Sequence, residues 1–214
     1  MPHASRPLVL ASASPRRREL LSYLGLTFEA IAADVDESFV SGDQPSKQAR
    51  RLARSKAIAI AAERPDAIVV AADTIVVHRG ALLAKPEDAN EARQMLRSLR
   101  GRVHRVFTGV ALAVPGRSRP RVYHEVSRVR MRAYSDADIE DTIARGVPFD
   151  KAGGYGIQDP TLRPVEACKG CFCNVMGLPL WSTAKALRAN GVEVSTDSLP
   201  ERCVTCPSRP PASL

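Results

Sequence analysis

A four-residue apolar run, Leu8-Val-Leu-Ala11, breaks off into Ser12-Ala-Ser-Pro15 and then three consecutive arginines, Arg16 to Arg18. No other stretch restricts the fold so much. A short apolar run is a strand. Ser14 is a good N-cap, and Pro15 fits the first helical position. Leu20, Leu21 and Leu24 then make one helical face, and Gly25 ends the helix. A strand therefore feeds a helix whose first turn is cationic. The free backbone N–H groups and the positive end of the helix dipole point at whatever lies above the turn. Arginine forks add bidentate donors suited to phosphate oxygens.

The chain has 214 residues, 44% hydrophobic and 25% charged. That is one large domain or two lobes with a shared core, long enough to need no disulfide staples. No apolar run reaches the length of a membrane span. Met1-Pro-His-Ala-Ser-Arg-Pro7 lacks the apolar centre of a signal peptide, so a cytoplasmic protein is expected, with no membrane partner. The net charge of +8 comes from 25 Arg and 6 Lys, dispersed along the chain and not banked on one element. With only 5% aromatics there are few stacking platforms for single strands, and no specific nucleic-acid partner is expected.

Residues 28–33 read as a strand, followed by an acidic loop, Asp34-Val-Asp-Glu37, that runs to Pro45. Ala49, Leu52, Ala53, Ala57 and Ile60 share a helical face over 46–63. Residues 67–72 read as a buried strand ending at Asp73, with 75–77 extended and a hairpin at Arg79-Gly80. Asp88 caps a helix with Ala92, Met95, Leu96 and Leu99 on its buried stripe. Residues 103–114 and 121–132 are long strands, and Ser135 caps a helix ending near Gly146. Short strands are expected up to Val175, then a last helix from Pro179 to Asn190-Gly191. Strands and helices do not alternate strictly, which predicts a mixed sheet flanked by helices. Residues 195–214 contain four prolines and read as a tail behind a single unit, 1–194, built of two lobes with a cleft.

Several residues carry candidate chemistry. Asp73, at the end of a buried apolar run, is a general base, a metal ligand or a turn aspartate. Lys56 shares the apolar face of its helix, so it either snorkels outward or meets a buried anion. Lys85 is held extended by Pro86 and reaches a phosphate or solvent. Asp36 and Glu37 suit Mg²⁺, or form a solvated loop. Asp150-Lys-Ala-Gly-Gly-Tyr-Gly-Ile-Gln158 has three glycines within four residues, which lets backbone approach a ligand closely. Gln158 offers a donor and an acceptor to a base edge. Cys168, Cys171, Cys203 and Cys206 form two C-x-x-C pairs, with Cys173 nearby. They read as a structural zinc site or as reduced thiols; the 31-residue gap between the pairs is long for a zinc ribbon.

Six ordered stretches resemble the Maf family of nucleotide pyrophosphatases: Leu-Ala-Ser-Ala-Ser-Pro-Arg-Arg, Asp-Val-Asp-Glu, Ala-Ala-Asp-Thr, Ala-Lys-Pro, Asp-Lys-Ala-Gly-Gly-Tyr-Gly-Ile-Gln and Asn-Val-Met-Gly-Leu-Pro-Leu. The resemblance spans about residues 7 to 190. It implies a mixed α/β sheet with two lobes and a cleft, similar to inosine triphosphate pyrophosphatases. It implies cleavage of a nucleoside triphosphate between the α and β phosphates, with a divalent cation, Mg²⁺ or Mn²⁺. By the same resemblance Asp73 is the catalytic carboxylate and Glu37 joins it on the metal side. Ser12, Ser14, Arg16, Arg17, Lys56, Thr74, Lys85 and Gln158 hold substrate, and Thr74 and Gln158 match the dTTP and UTP branch. The resemblance also implies a homodimer. A housecleaning hydrolase of modified nucleotides and a septum-formation regulator acting through a protein partner stay open as alternatives. So does a zinc-containing nucleic-acid binder.

Overall fold

The first strand, β1 (Leu8–Ala11), is buried along its whole length, and Ser14 closes it off by capping α1 (Pro15–Ser22). A computed structural model of the chain describes residues 6–210. The remaining residues, among them most of the segment read for a signal peptide and Pro211 of the tail, lie outside it. Next come β2 (Glu29–Ile31), the long α2 (Pro45–Glu63) and β3 (Ile68–His78). A hairpin leads to β4 (Ala81–Leu83), then α3 (Ala89–Leu99), capped by the Asp88 side chain. β5 (Val103–Ala113) and β6 (Arg121–Met131) are the two long strands. α4 (Asp136–Ala144) starts from a reciprocal capping box between Ser135 and Asp138. A 3₁₀ turn at Ala152–Gly154, β7 (Val165–Lys169), α5 (Phe172–Met176), α6 (Leu180–Arg188) and α7 (Glu201–Val204) complete the described chain.

The strands form one mixed sheet in the order β2-β1-β3-β5-β6-β7, with β4 on the free part of β3. Only β1 is parallel to its neighbours; the pairs β3–β4, β3–β5, β5–β6 and β6–β7 are antiparallel. Side chains alternate along β3. Ile68, Val70 and Ala72 pack with the α1 leucines and with Leu180, Ala184 and Leu187 of α6. Farther along the same face, Val76 packs with Leu96 and Leu99 of α3 and Ile139 of α4. The opposite face, through Val69, Ala71, Ile75 and Val77, is covered by α2.

Three expectations change. Asp73 is not at the end of a strand but in the middle of β3. The reason is β5, which pairs without a break from Val69↔Ala113 to Val77↔Arg105 and holds β3 extended through the carboxylate. On the other edge β1 stops at Ala71 and β4 starts at Val76, so no strand borders residues 72 to 75 there. Second, Phe172–Met176 is helical and not a strand, because the Cys171 sulfur accepts from the Asn174 N–H and caps it. Third, the residues beyond 195 pack on the body: Ser195 N–H donates to Leu24 carbonyl at 3.1 Å and Trp181 Nε1 to Cys203 carbonyl at 2.9 Å. Among the described residues no helix is long and apolar enough to cross a membrane.

Gly109, opposite Asp73 in the ladder, lies directly under the α2 backbone. A methyl group there would lie 2.3 Å from the Ala49 backbone carbonyl. Gly109→Ala should lower stability by about 1–3 kcal/mol or more in urea unfolding, because backbone must retreat. Wild-type stability in that variant would show that α2 is not seated there.

His104 on β5 is buried, with Nε2 at 2.6 Å from the Tyr155 hydroxyl. Burial, with the nearby His78 adding to it, pulls its pKa down to about 4. Below pH 6.5 the unfolded chain takes up a proton on this ring that the folded chain refuses until about pH 4. Stability is therefore intact above pH 6.5 and falls through that window. Urea unfolding should show a loss of about 1 kcal/mol from this ring between pH 7.5 and pH 5.5. His104→Gln should remove that part of the slope; an unchanged slope in the variant would assign it to other groups.

Candidate active site

The gap beside residues 72–75 is filled by the turn after β1. Arg17 reaches into it and makes three side-chain contacts: Nε to Gly177 carbonyl at 3.0 Å, Nη1 to Ser12 Oγ at 3.3 Å and Nη2 to Thr74 Oγ1 at 3.1 Å. Behind Thr74 the chain of bonds continues. Thr108 Oγ1 lies at 3.0 Å and donates its proton to the Asn174 carbonyl at 2.8 Å, so Thr74 donates to Thr108. Asn174 is fully buried, and its Nδ2 donates to Val106 carbonyl and to Ser127 Oγ. Gly177 is needed beside this fork: its φ is +120°, and a Cβ would stand 3.3 Å from Arg17 Nε. Burial lowers the Arg17 pKa, offset in part by the charge of Asp73. Arg17 thus ties β1, β3 and α5 together as much as it faces the cleft.

On the other face of β3, Asp73 meets Lys56. The Lys56 ammonium lies 2.6 Å from Asp73 Oδ1 and 2.8 Å from Glu37 Oε1. Lys56 and Asp73 are each only 7% exposed, so the lysine meets a buried anion and does not snorkel. Burial pushes the Glu37 carboxyl upward. The hydrogen bond and charge of Lys56, with Lys85 and Arg17 behind it, outweigh that and hold it below the usual range. Asp36 is instead turned to its own loop, accepting from the Ser38 N–H and hydroxyl.

The opposite wall is the glycine-rich loop. Gly153 N–H donates to Ala84 carbonyl at 2.9 Å, which fixes this loop to the end of β4, beside Lys85. Asp150 accepts from Arg16 Nη1 at 2.6 Å and from the neighbouring Lys151. Burial pushes Asp150 upward, and these two cations more than reverse it. Arg16 therefore spans the cleft and pairs with a carboxylate, which the sequence did not foretell. Asp150 and Lys151 open the glycine-rich stretch that the sequence singles out.

The space enclosed is a cleft of about 620 Å³, lined by Ser12, Ser14, Arg16, Arg17, Glu37, Lys56, Asp73, Thr74, Lys85 and Gln158, every cleft residue expected from the sequence. Asp150, Lys151, Phe39 and Tyr155 join them. Phe39 is 43% exposed at the mouth; an aromatic two residues past Glu37 in a polar loop was the one hint of it. Five cations against three carboxylates leave the cleft with a net positive charge, which favours anions. Ser12 Oγ already accepts from Ser14 N–H and Arg17, which leaves its own proton to donate.

The cation that the family resemblance implies can be tested against the donors. Asp73 Oδ1 and Glu37 Oε1 converge on one ammonium, and each carboxylate keeps a second oxygen. Two carboxylates with phosphate oxygens and water suit Mg²⁺ or Mn²⁺. Among the described residues no three or more His, Cys, Asp or Glu side chains are disposed to hold a metal ion as they stand. The expected zinc set also changes. Cys168 lies on β7, packed toward the α3–α4 cluster, whereas Cys171, Cys203 and Cys206 lie with Cys173 in the core around α1 and α6. The pairing of β7 with β6, Val129↔Cys168, faces Cys168 toward that other cluster.

Residues 7–190 match the family model described as Maf-like protein. Among curated proteins the chain is 56% identical over 208 residues to a dTTP/UTP pyrophosphatase of Thermomicrobium roseum, covering 95% of this chain and 94% of the relative. It is 48% identical over 187 residues to one of Salinibacter ruber, covering 87% and 92%. It is 42% identical over 189 residues to one of Desulforamulus reducens, covering 88% and 99%.

Arg17→Lys keeps the charge and loses the fork. Isothermal titration with inorganic triphosphate should then show affinity reduced roughly tenfold or more, since charge-assisted bonds are worth about 1.5–3 kcal/mol each. Unchanged affinity would mean that this arginine contributes charge alone.

Proposed function

Because the chain belongs to the Maf-like protein family, we propose that it hydrolyses dTTP and UTP to the nucleoside monophosphate and pyrophosphate. The observation that carries the proposal is the buried Lys56 ammonium held between Asp73 and Glu37 at the floor of a cationic cleft. In this reading the triphosphate enters with its β and γ phosphates toward the 12–17 turn. Ser12, Ser14 and the first N–H groups of α1 donate to phosphate oxygens there. Lys56 has three donors, two of them engaged by carboxylates, and turns the third to the substrate. Arg16 and Lys85 close on the leaving group from the two walls.

Water attacks the α-phosphorus, the bond to the bridging oxygen breaks, and pyrophosphate departs with the bonding electrons. Asp73 Oδ1 is anchored by Lys56, so Oδ2 is the atom that orients the water and accepts its proton. Glu37 and Asp73 would hold the divalent cation, which supplies positive charge to the phosphate oxygens when bound. The cations oppose charge building on the pyrophosphate, the dominant need in phosphoryl transfer. Gln158, exposed at the rim, offers its carboxamide to the pyrimidine edge. Thr74 acts through Arg17, whose fork it positions. Residues 1–194 are the catalytic unit in this proposal, and the cytoplasmic nucleotide pool is its working place.

Asp73→Asn should cut pyrophosphate release from dTTP by on the order of a hundredfold or more. Binding of a non-hydrolysable dTTP analogue should survive, because the amide fills the same space. Wild-type release by this variant would overturn the assignment of Asp73 and with it the reading of the cleft.

A further inference from the structure

Four cysteines unused by the cleft meet in the core around α1, α5 and α6. Cys171 and Cys173 bracket the start of α5, and Cys203 and Cys206 come from the C-terminal segment. They are 2%, 0%, 1% and 7% exposed, respectively, and all lie in one core cluster. Cys173 Sγ is 2.9 Å from Cys203 Sγ. Cys171 is in thiol contact with both Cys173 and Cys206. The sulfurs thus form one continuous chain, 206–171–173–203, drawn from two segments of the sequence.

The backbone around them donates into sulfur. Cys171 Sγ accepts from the Asn174 N–H at 3.3 Å. Amides aimed at sulfur stabilise thiolate, and this is how protein backbones support sulfur ligands of a metal.

We propose that Cys171, Cys173, Cys203 and Cys206 form a structural Zn²⁺ site that fastens the C-terminal segment to α5. Zinc held by four thiolates at about 2.3 Å needs sulfurs roughly 3.8 Å apart in a tetrahedron. At 2.9 Å the Cys173–Cys203 pair is too close, and side-chain rotation must open it by about 1 Å. The four thiols give up four protons to solvent as the ion binds, leaving a site of charge −2 that the Asn174 amide faces. Two disulfides are the competing chemistry. They would pair the sulfurs and leave the contact between Cys171 and Cys173, and the amide aimed at sulfur, without a purpose. Cys168 takes no part, because it lies on β7 and packs in the other core cluster.

The site is independent of the pyrophosphatase reading, because metal content is measured whether or not dTTP is cleaved. The full chain, purified without chelator from zinc-supplemented cells, is analysed for metal by mass spectrometry and for thiols after denaturation. About one zinc per chain with five titratable thiols is expected. Replacing zinc by Co²⁺ should give the sulfur-to-cobalt charge-transfer bands of a tetrathiolate. Cys168→Ser should keep full metal content, and Cys173→Ser should lose most of it. Removing the metal from the wild-type chain should lower the melting temperature by on the order of 5 °C or more. A chain without zinc, whose cobalt form lacks those bands, overturns the proposal. A mass about 4 Da lower, the mark of two disulfides, overturns it equally. If Cys173→Ser does not fold, the wild-type zinc content and cobalt spectrum decide alone.

Discussion

A single interruption in the sheet makes the rest of the structure possible. β1 runs parallel to β3 as far as Ala71 and then leaves the sheet, and β4 does not take up the edge until Val76. The other edge is sealed by β5, so β3 cannot bend or end there. A rigid strand with four residues open on one edge results. The turn that leaves β1 drops into that opening and carries a helix N-terminus with it. Adjacent residues of the open stretch point to opposite faces, so Thr74 takes Arg17 on one side and Asp73 takes Lys56 on the other. One gap thereby sets both the cationic floor and the acid beside it.

Burying an ammonium and a carboxylate together costs desolvation that their attraction does not always recover. Here the pair is not closed. Glu37 adds a second carboxylate from a half-open loop, and the lysine retains a donor. Arg16 and Lys151 are likewise held by Asp150 across the cleft. Lys56 and Arg16 each lean on a carboxylate from another element. An incoming polyanion thus competes for donors already aimed inward, and little side-chain entropy is left to lose when it binds.

Much of this was legible. The hydroxyls, the arginines and the N-cap of α1 were read from local chemistry, because capping and turn geometry depend on neighbours in sequence. The helical stripes of α2 and α3 and the Ser135 cap of α4 were legible for the same reason. The division of β3 at Asp73 was misread because a charged residue after an apolar run looks like an end. What kept the strand going was a ladder with β5, a strand that follows only after β4 and α3 in the chain. The helix at Phe172–Met176 was missed because its cap is a cysteine sulfur, which carries none of the usual N-cap signature. The ion pair between Arg16 and Asp150, 134 residues apart, had no local trace at all.

The sequence by itself determined which side chains are available and which short segments are pre-shaped: a capped, arginine-bearing turn, a loop of glycines and a lysine on an apolar helix face. Those are properties of a few neighbouring residues, set by backbone sterics and hydrogen bonding within a turn or two. Only the tertiary structure decided that Lys56 lies between two carboxylates, that Arg17 serves as a tie as well as a charge, and that Cys173 and not Cys168 joins the buried thiols. Each of these depends on where the sheet brings distant strands and helices into contact. Burial and strand register act between segments far apart in the chain, and no local pattern of residues encodes them.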